Sequence, residues 1–399
     1  MPKRILLLTF FYPPDLSAGS FRAGALVQAL RQQAGDEVQI EVLTTQPNRY
    51  SDHSFETVSV EESPGLYVRR IHLPQMRRGF IGQAVSFWRY VRKVNRLTAA
   101  NEYDLVVATS SRLMTAVLGA WVAYRKHTRL YLDIRDIFVE NLGVLFPAPV
   151  AMPLGWVFGA FERWAVERAQ RVNLVSHGFL GYFQPRYPAQ QFSIYSNGVD
   201  AVFEAFAASV GVPSARLDGK PLQVLYAGNL GDGQGMHLIL PELARRLRGR
   251  AHFRVVGAGG RLEALSDALR ATESSDNVEL LPPVARVRLL ELYREADVLF
   301  LHLNDFPAFK RVLPSKLFEY AATGKPVWAG VAGYAVEFIA REIHNAAVFA
   351  PCDVDGALSA LERLSLAATP RDDFVRSFSR QKIMQNMAQD VLACMREPA

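Results

Sequence analysis

The chain has 399 residues, half of them hydrophobic, so it is long enough for two domains with full cores, and general disorder is excluded. Two cysteines, Cys352 and Cys394, exclude a disulfide framework and suit a reducing cytoplasm. The net charge of +6 is uneven: residues 1–195 carry 22 Lys and Arg against 15 Asp and Glu, and the remainder 23 against 24. Only the first half therefore favours a negatively charged partner, such as an anionic membrane surface or a phosphate-bearing acceptor, and no zinc-finger spacing or recognition-helix pattern points to nucleic acid.

The apolar run at 5–11 soon meets Pro13-Pro14, so it reads as a buried first strand at 4–10 rather than the core of a secretion signal. The small-residue loop 12–20 then enters a helix predicted at 21–32. Such a loop brings backbone N–H groups near phosphate and Arg22 adds charge, although Ser17-Ala18-Gly19-Ser20 also has the form of a helix N-cap. Strands follow at 38–44 and 67–71, with a polar connection between them. Residues 75–97 hold six Arg or Lys, no acid, and Phe80, Ile81, Phe87, Trp88 and Tyr90. They fit either a helix lying on a membrane surface or one whose aromatics pack on the sheet.

Strands at 105–109 and 130–134 flank a helix at 113–125, and this alternation implies a parallel sheet with right-handed crossovers. Asp133-Ile134-Arg135-Asp136 falls at the carboxyl edge of that sheet, where open α/β sheets bind ligands; a surface salt-bridged turn is the competing reading. Residues 142–161 contain no charged side chain, but Pro147, Pro149, Pro153 and three glycines argue against one continuous membrane span. An apolar flap resting in one leaflet, or packed on the basic aromatic helix, is expected instead. Strands at 172–176 and 192–195 complete the sheet, and the turn 196–200 is taken as the domain boundary.

The second half repeats the pattern. A strand at 222–227 leads through Gly228-Asn229-Leu230-Gly231-Asp232-Gly233-Gln234-Gly235 into a helix at 237–247. The four glycines let the main chain approach a diphosphate, with Asn229 and Gln234 as neutral donors. Gly257-Ala258-Gly259-Gly260-Arg261-Leu262 lacks the third glycine of a dinucleotide fingerprint and reads as a tight strand-to-helix turn. Further strands are placed at 278–281 and 298–303. Asp353-Val354-Asp355 precedes a helix at 357–366, where an N-cap is the expected role, and no His or Cys has metal-ligand spacing, so no metal is assigned.

Residues 313–327 carry the clearest functional signal. Pro314 suits a helix start, and Ser315 and Lys316 in the first turn can hold an anion through backbone N–H groups, a hydroxyl and a charge. Glu319 lies one turn on and on the same side, positioned to face the hydroxyls of whatever carries the phosphate, or else to form a solvated pair with Lys316. Gly324-Lys325-Pro326 closes the helix. The run Pro314-Ser315-Lys316-x-Phe318-Glu319-Tyr320-x-Ala322-x-Gly324-Lys325-Pro326-Val327 resembles the nucleotide-sugar helix of family-four glycosyltransferases of the GT-B fold, particularly the bacterial surface-polysaccharide branch.

That resemblance implies an α/β fold of two Rossmann-like parallel-sheet domains facing across a cleft. Residues 1–198, with 372–399 returning to them, would form the acceptor side, and 199–371 the nucleotide-sugar-binding domain. It implies a retaining transferase that uses a nucleoside-diphosphate sugar, uridine-linked, as co-substrate without a cofactor. The acceptor would be a saccharide or lipid-linked glycan in cell-surface polysaccharide synthesis, reached from the cytoplasmic face of the membrane. Carried over by residue, Glu319 binds the ribose, and Ser315 and Lys316 meet the diphosphate. Gly228, Asn229, Gly231, Gln234 and Gly235 form the donor loop, the loop holding Val284 meets the base, and Gly19 lines the approach to the phosphates. Arg135 and Asp136 orient the attacking hydroxyl. The donor loop lacks the Arg and Lys of other members, which leaves cationic work to Lys310, Arg311 or Lys316. Arg311 also stands where many members have a second glutamate facing the donor sugar. A catalytically inactive homologue that binds nucleotide sugar or glycan, and a sugar-nucleotide epimerase on the same fold, are the rival readings.

Overall fold

The computed structural model describes residues 2–15, 17–47, 58–73, 80–110, 113–209 and 220–396, without the side chains of residues 80, 81, 83, 144, 145 and 209. The chain divides into two compact units, Met1–Asn197 with Arg380–Ala399, and Gly198–Ser379.

The first unit is built on eight strands: β1 Lys3–Leu8, β2 Val38–Thr45, β3 Val60–Ser63, β4 Leu66–Ile71, β5 Leu105–Thr109, β6 Arg129–Ile134, β7 Arg171–Leu174 and β8 Phe192–Ile194. They lie in the order β3-β4-β2-β1-β5-β6-β7-β8, and every pairing is parallel except β3 with β4. Helices cover both faces, which is why the central strands are apolar without alternation: Ile5, Leu6, Leu7 and Leu8 are all fully buried. Helix Ala18–Ala34 packs on one face beside the terminal helix Arg380–Arg396, whose Met384, Met387, Val391 and Leu392 join Leu7, Leu26 and Val42 in one cluster.

The second unit carries β9 Leu222–Ala227, β10 Ala251–Val256, β11 Val278–Leu281, β12 Val298–His302, β13 Val327–Gly330 and β14 Ala346–Phe349. All are parallel, in the order β11-β10-β9-β12-β13-β14. Counted from its own first strand, this is the 3-2-1-4-5-6 order in which ligands bind where the winding reverses, here between β9 and β12. The α/β class with two parallel-sheet domains is therefore what the sequence implied.

Several local expectations change. Strand β3 goes unread in the sequence because it is short, polar and exposed; it exists by pairing with β4 through the turn at Gly65, whose φ is 72°. The basic aromatic segment forms helix Phe80–Thr98, while residues 75–79 and the side chains of Phe80 and Ile81 lie outside the described residues. Tyr90 is buried against the sheet and donates to the Leu43 carbonyl at 2.8 Å, so for this aromatic the packing alternative holds; Trp88 remains exposed. The expected flap at 142–161 is helical: Phe138–Leu145, a break before Pro147, then Ala148–Arg168. The segment is thus not one continuous span, as expected, although the second helix runs through Pro153. Pro153 forfeits an interior hydrogen bond to the Pro149 carbonyl, a cost that the packing of this helix offsets. It packs on helices Leu113–Arg125 and Phe138–Leu145. Among the described residues no helix is long and apolar enough to cross a membrane. The segment expected to return from 372 onwards forms two helices, Asp372–Ser377, which stays in the second unit, and Arg380–Arg396, which returns to the first.

Candidate functional site

In the second unit the reversal between β9 and β12 gathers the predicted donor residues. The loop after β9 contains a short turn, Asp232–Gln234, and Gly235 takes φ 58°, opening helix Met236–Arg246. Asn229 donates to the Gln234 side-chain oxygen at 2.8 Å and the Gly231 N–H approaches the same oxygen at 3.3 Å, so these two amides lock the loop rather than pointing freely outward. Beneath it lies the turn after β10. A Cβ on Gly257, whose φ is 156°, would sit 1.8 Å from the Gly228 carbonyl oxygen, and one on Gly259 would sit 2.3 Å from that of Leu230. The glycines at 257 and 259 therefore serve close loop-on-loop packing.

His302, the last residue of β12, braces the loop from the other side. The Cys352 N–H donates to its Nε2 at 2.9 Å, so the ring proton is on Nδ1 and donates to the Gln234 carbonyl at 2.7 Å. Burial pushes the His302 pKa down to about 4, against the pull of the Gln234 carbonyl. Asn304 continues the contact, donating to the Asp232 carbonyl at 3.0 Å.

Helix Ser315–Ala322 opens at the same place, with Pro314 at its N-cap and Gly324, φ 71°, ending it as its sequence predicts. Lys316 reaches across Gly228: a Cβ added there would lie 2.3 Å from the Lys316 Cε. Glu319 is half-buried on the next turn, and the buried Tyr293 hydroxyl donates to its Oε2 at 3.4 Å. Desolvation beside the Glu319 charge raises the Tyr293 pKa well above its ordinary value, so the phenol stays a donor. Ser315 is half-buried beside Lys316 in the first turn. Lys310 ends the short turn Pro307–Lys310, 4.0 Å from Asp305, and Arg311 follows as its C-cap. Val284 packs at the edge of the core, ahead of helix Arg286–Glu295.

The first unit brings Gly19 and Arg135 together. Ser17, not a loop residue, caps helix Ala18–Ala34 by accepting the Ser20 N–H at 3.1 Å, so the N-cap alternative holds and Gly19 lies in the first helical turn. A Cβ at Gly19 would fall on the Arg135 guanidinium, which therefore lies against this turn. Arg22 does not add charge to a phosphate as expected. It is 2 % exposed, pairs through two bonds of 2.9 Å with Asp133, itself 1 % exposed, and donates to the Ser196 carbonyl at 2.7 Å. Asn173 completes that network at 2.7 Å from Asp133. Asp136 is exposed and accepts from Asn141 at 3.1 Å. Desolvation pushes its carboxyl above the usual range, while the Ile137 N–H, Asn141 and Arg135 pull it down.

Solved structures share this fold. The chain is similar to sucrose-phosphate synthase from Thermosynechococcus elongatus, with a TM-score of 0.72 at 16 % identity over 98 % of both chains. It is similar to Anabaena HepE in complex with UDP, with a TM-score of 0.63 at 16 % identity over 98 % of this chain and 100 % of that one. A family model described as a glycosyl transferase 4-like domain matches residues 20–198, and one described as glycosyl transferases group 1 matches residues 212–377. The chain belongs to the GT-B glycosyltransferases. A curated relative of this glycosyltransferase is D-inositol 3-phosphate glycosyltransferase of Kineococcus radiotolerans, 25 % identical over 355 residues, 83 % of this chain and 78 % of that protein.

Sequence reasoning missed three participants in the glycosyltransferase's candidate donor site: Tyr293 against Glu319, His302 against the loop, and Tyr226, whose hydroxyl donates to the Asn229 carbonyl at 2.6 Å. Each looks like an ordinary core residue of a strand or helix, and only the fold brings it to the site. Asp353 is the predicted N-cap, accepting the Gly356 N–H at 2.9 Å, and no metal-holding cluster occurs among the described residues.

Proposed function

We propose that this glycosyltransferase moves a sugar from a uridine-diphosphate sugar to a saccharide or lipid-linked acceptor, retaining anomeric configuration. The step belongs to cell-surface polysaccharide synthesis at the cytoplasmic face of the membrane, where anionic lipid attracts the basic first half. The single observation that carries the reading is Lys316 lying over Gly228 with Glu319 one helical turn on, at the winding reversal of the second sheet. A diphosphate resting on the Gly228 backbone meets the Lys316 ammonium and the helix start, while the attached ribose reaches the Glu319 carboxylate. As the sugar leaves, negative charge grows on the diphosphate, and these fixed donors stabilise it. The departing phosphate takes the acceptor's proton on the same face, with Arg135 and Asp136 orienting the acceptor hydroxyl. The UDP bound by the similar HepE structure and the transferase named in the curated relative support this reading.

Arg311 favours a second reading, an inactive homologue that still binds nucleotide sugar, because a cation replaces the carboxylate that many members aim at the donor sugar. One experiment separates them. Labelled uridine-diphosphate sugars are incubated with the protein, with and without glycan acceptors, and uridine diphosphate and pyrophosphate are titrated into wild type and Glu319→Ala. Sugar transfer or donor hydrolysis, with Glu319→Ala weakening uridine diphosphate about tenfold and pyrophosphate hardly at all, is the expected result. Binding without turnover of any donor supports the inactive reading, conversion of the free donor to its epimer supports the epimerase, and unchanged affinity in a folded Glu319→Ala removes Glu319 from the site.

A further inference from the structure

Residues 148–161 make up the first part of helix Ala148–Arg168 and include no charged side chain, yet not one of them is buried. Met152 is 68 % exposed and Trp156 80 %, and Val150, Val157 and Phe161 are exposed beside them. A helix apolar on all sides belongs in a core or in lipid; this one covers helices Leu113–Arg125 and Phe138–Leu145 with one face and presents the other outward.

Two further observations identify what covers it. The chain has five tryptophans, and of these only Trp328 is fully buried. Trp88, Trp121, Trp156 and Trp164 belong to three helices, Phe80–Thr98, Leu113–Arg125 and Ala148–Arg168, which lie side by side. The first two are joined where Trp121 Nε1 and Arg125 donate to Asn95 at 3.2 and 3.1 Å. The second observation is charge. Arg92 stacks 4.7 Å from the Trp88 ring, Arg168 5.4 Å from Trp164 and 4.3 Å from Tyr124, and Arg125 6.0 Å from Trp121. The three helices hold seven Arg or Lys against two Glu, and Glu162 is buried, accepting from Tyr182 and Tyr187. A second copy docking through the same patch would set these cations against each other, whereas anionic headgroups neutralise them.

We infer that this face seats the protein on an anionic bilayer. The charge-free end of Ala148–Arg168 dips among the acyl chains with Trp156 as its anchor, and Trp88, Trp121 and Trp164 with their arginines lie at headgroup depth. The inference rests on the membrane-facing acceptor reading above and gives it a surface and an orientation.

The test uses the full chain with vesicles of phosphatidylcholine alone and of phosphatidylcholine with phosphatidylglycerol. Wild type sediments with the anionic vesicles, less so as salt rises; Trp156→Glu weakens this about tenfold or more, and Trp156→Phe largely restores it. With Trp88, Trp121 and Trp164 changed to Phe, the emission of Trp156 is quenched by lipids brominated in their acyl chains. Wild-type-like vesicle binding by Trp156→Glu overturns the inference, as does a lipid-free dimer of wild type that Trp156→Glu dissociates. Circular dichroism and uridine diphosphate binding verify that the variants are folded. Transfer to a water-soluble acceptor is measured alongside: its failure in wild type counts against the transferase alone, while vesicle binding decides the docking surface.

Discussion

His302 gives the loop at 228–235 a pH limit. Its Nδ1 donates to Gln234 and its Nε2 accepts from Cys352, so a proton added at Nε2 would face an N–H and break the brace. The neighbouring titratable group is the Cys352 thiol, pushed up by burial and neutral throughout this range. Because the folded His302 titrates at about 4 and the unfolded side chain at about 6.5, the unfolded chain binds the proton first as pH falls. Stability from this group is whole above about 6.5 and is lost as pH drops towards 4, on the order of 3 kcal/mol in all. Urea midpoints measured from pH 7 to pH 4 should fall more steeply for wild type than for His302→Asn; parallel profiles would show that His302 does not set the limit. The buried Arg22–Asp133 pair teaches the converse lesson about single residues. In sequence Arg22 reads as a phosphate ligand, because nothing local reveals that Asp133, more than a hundred positions away, takes up its whole guanidinium edge.

Among the secondary elements, the two turns after β9 and β10 make one unit. Gly257 at φ 156° approaches the Gly228 carbonyl so closely that no side chain fits, and the backbone itself is strained for any other residue. Gly257→Ala should therefore lower stability by about 3 kcal/mol or more and weaken uridine diphosphate binding with it, read by thermal unfolding with and without the nucleotide. An unshifted melting temperature would mean that the two turns separate without cost. The strands were legible because buried parallel strands are continuous apolar runs, and β5 falls at the predicted residues. Strand β3 was not, since an exposed edge strand carries no hydrophobic period and is defined by its partner. The helix after Pro147 holds Pro153 in its interior for a related reason: proline disfavours that position, but packing on Leu113–Arg125 outweighs the one missing hydrogen bond.

Across the full chain, the last helix ties its end to its beginning. Met384, Met387, Val391, Leu392 and Met395 of Arg380–Arg396 fill the core beside helix Ala18–Ala34. Ending the chain at Ser379 should uncover that face, so amides of β1 and β2 lose protection from hydrogen exchange while those of β9 and β12 keep theirs. Equal protection of β1 in both chains would show that the first unit does not need the helix. The sequence by itself determined the α/β class, most strands, the Gly228 loop and the helix from Ser315 to Ala322, because hydrophobic period, glycine and proline act over a few residues and leave their mark there. Tertiary structure alone decided that Lys316 lies over Gly228, that Arg135 lies against Gly19, that Arg22 is consumed by Asp133 and that Trp156 is left in the open. Those outcomes depend on which distant surfaces the parallel crossovers bring together, and a contact between residues far apart in the chain has no local pattern to announce it.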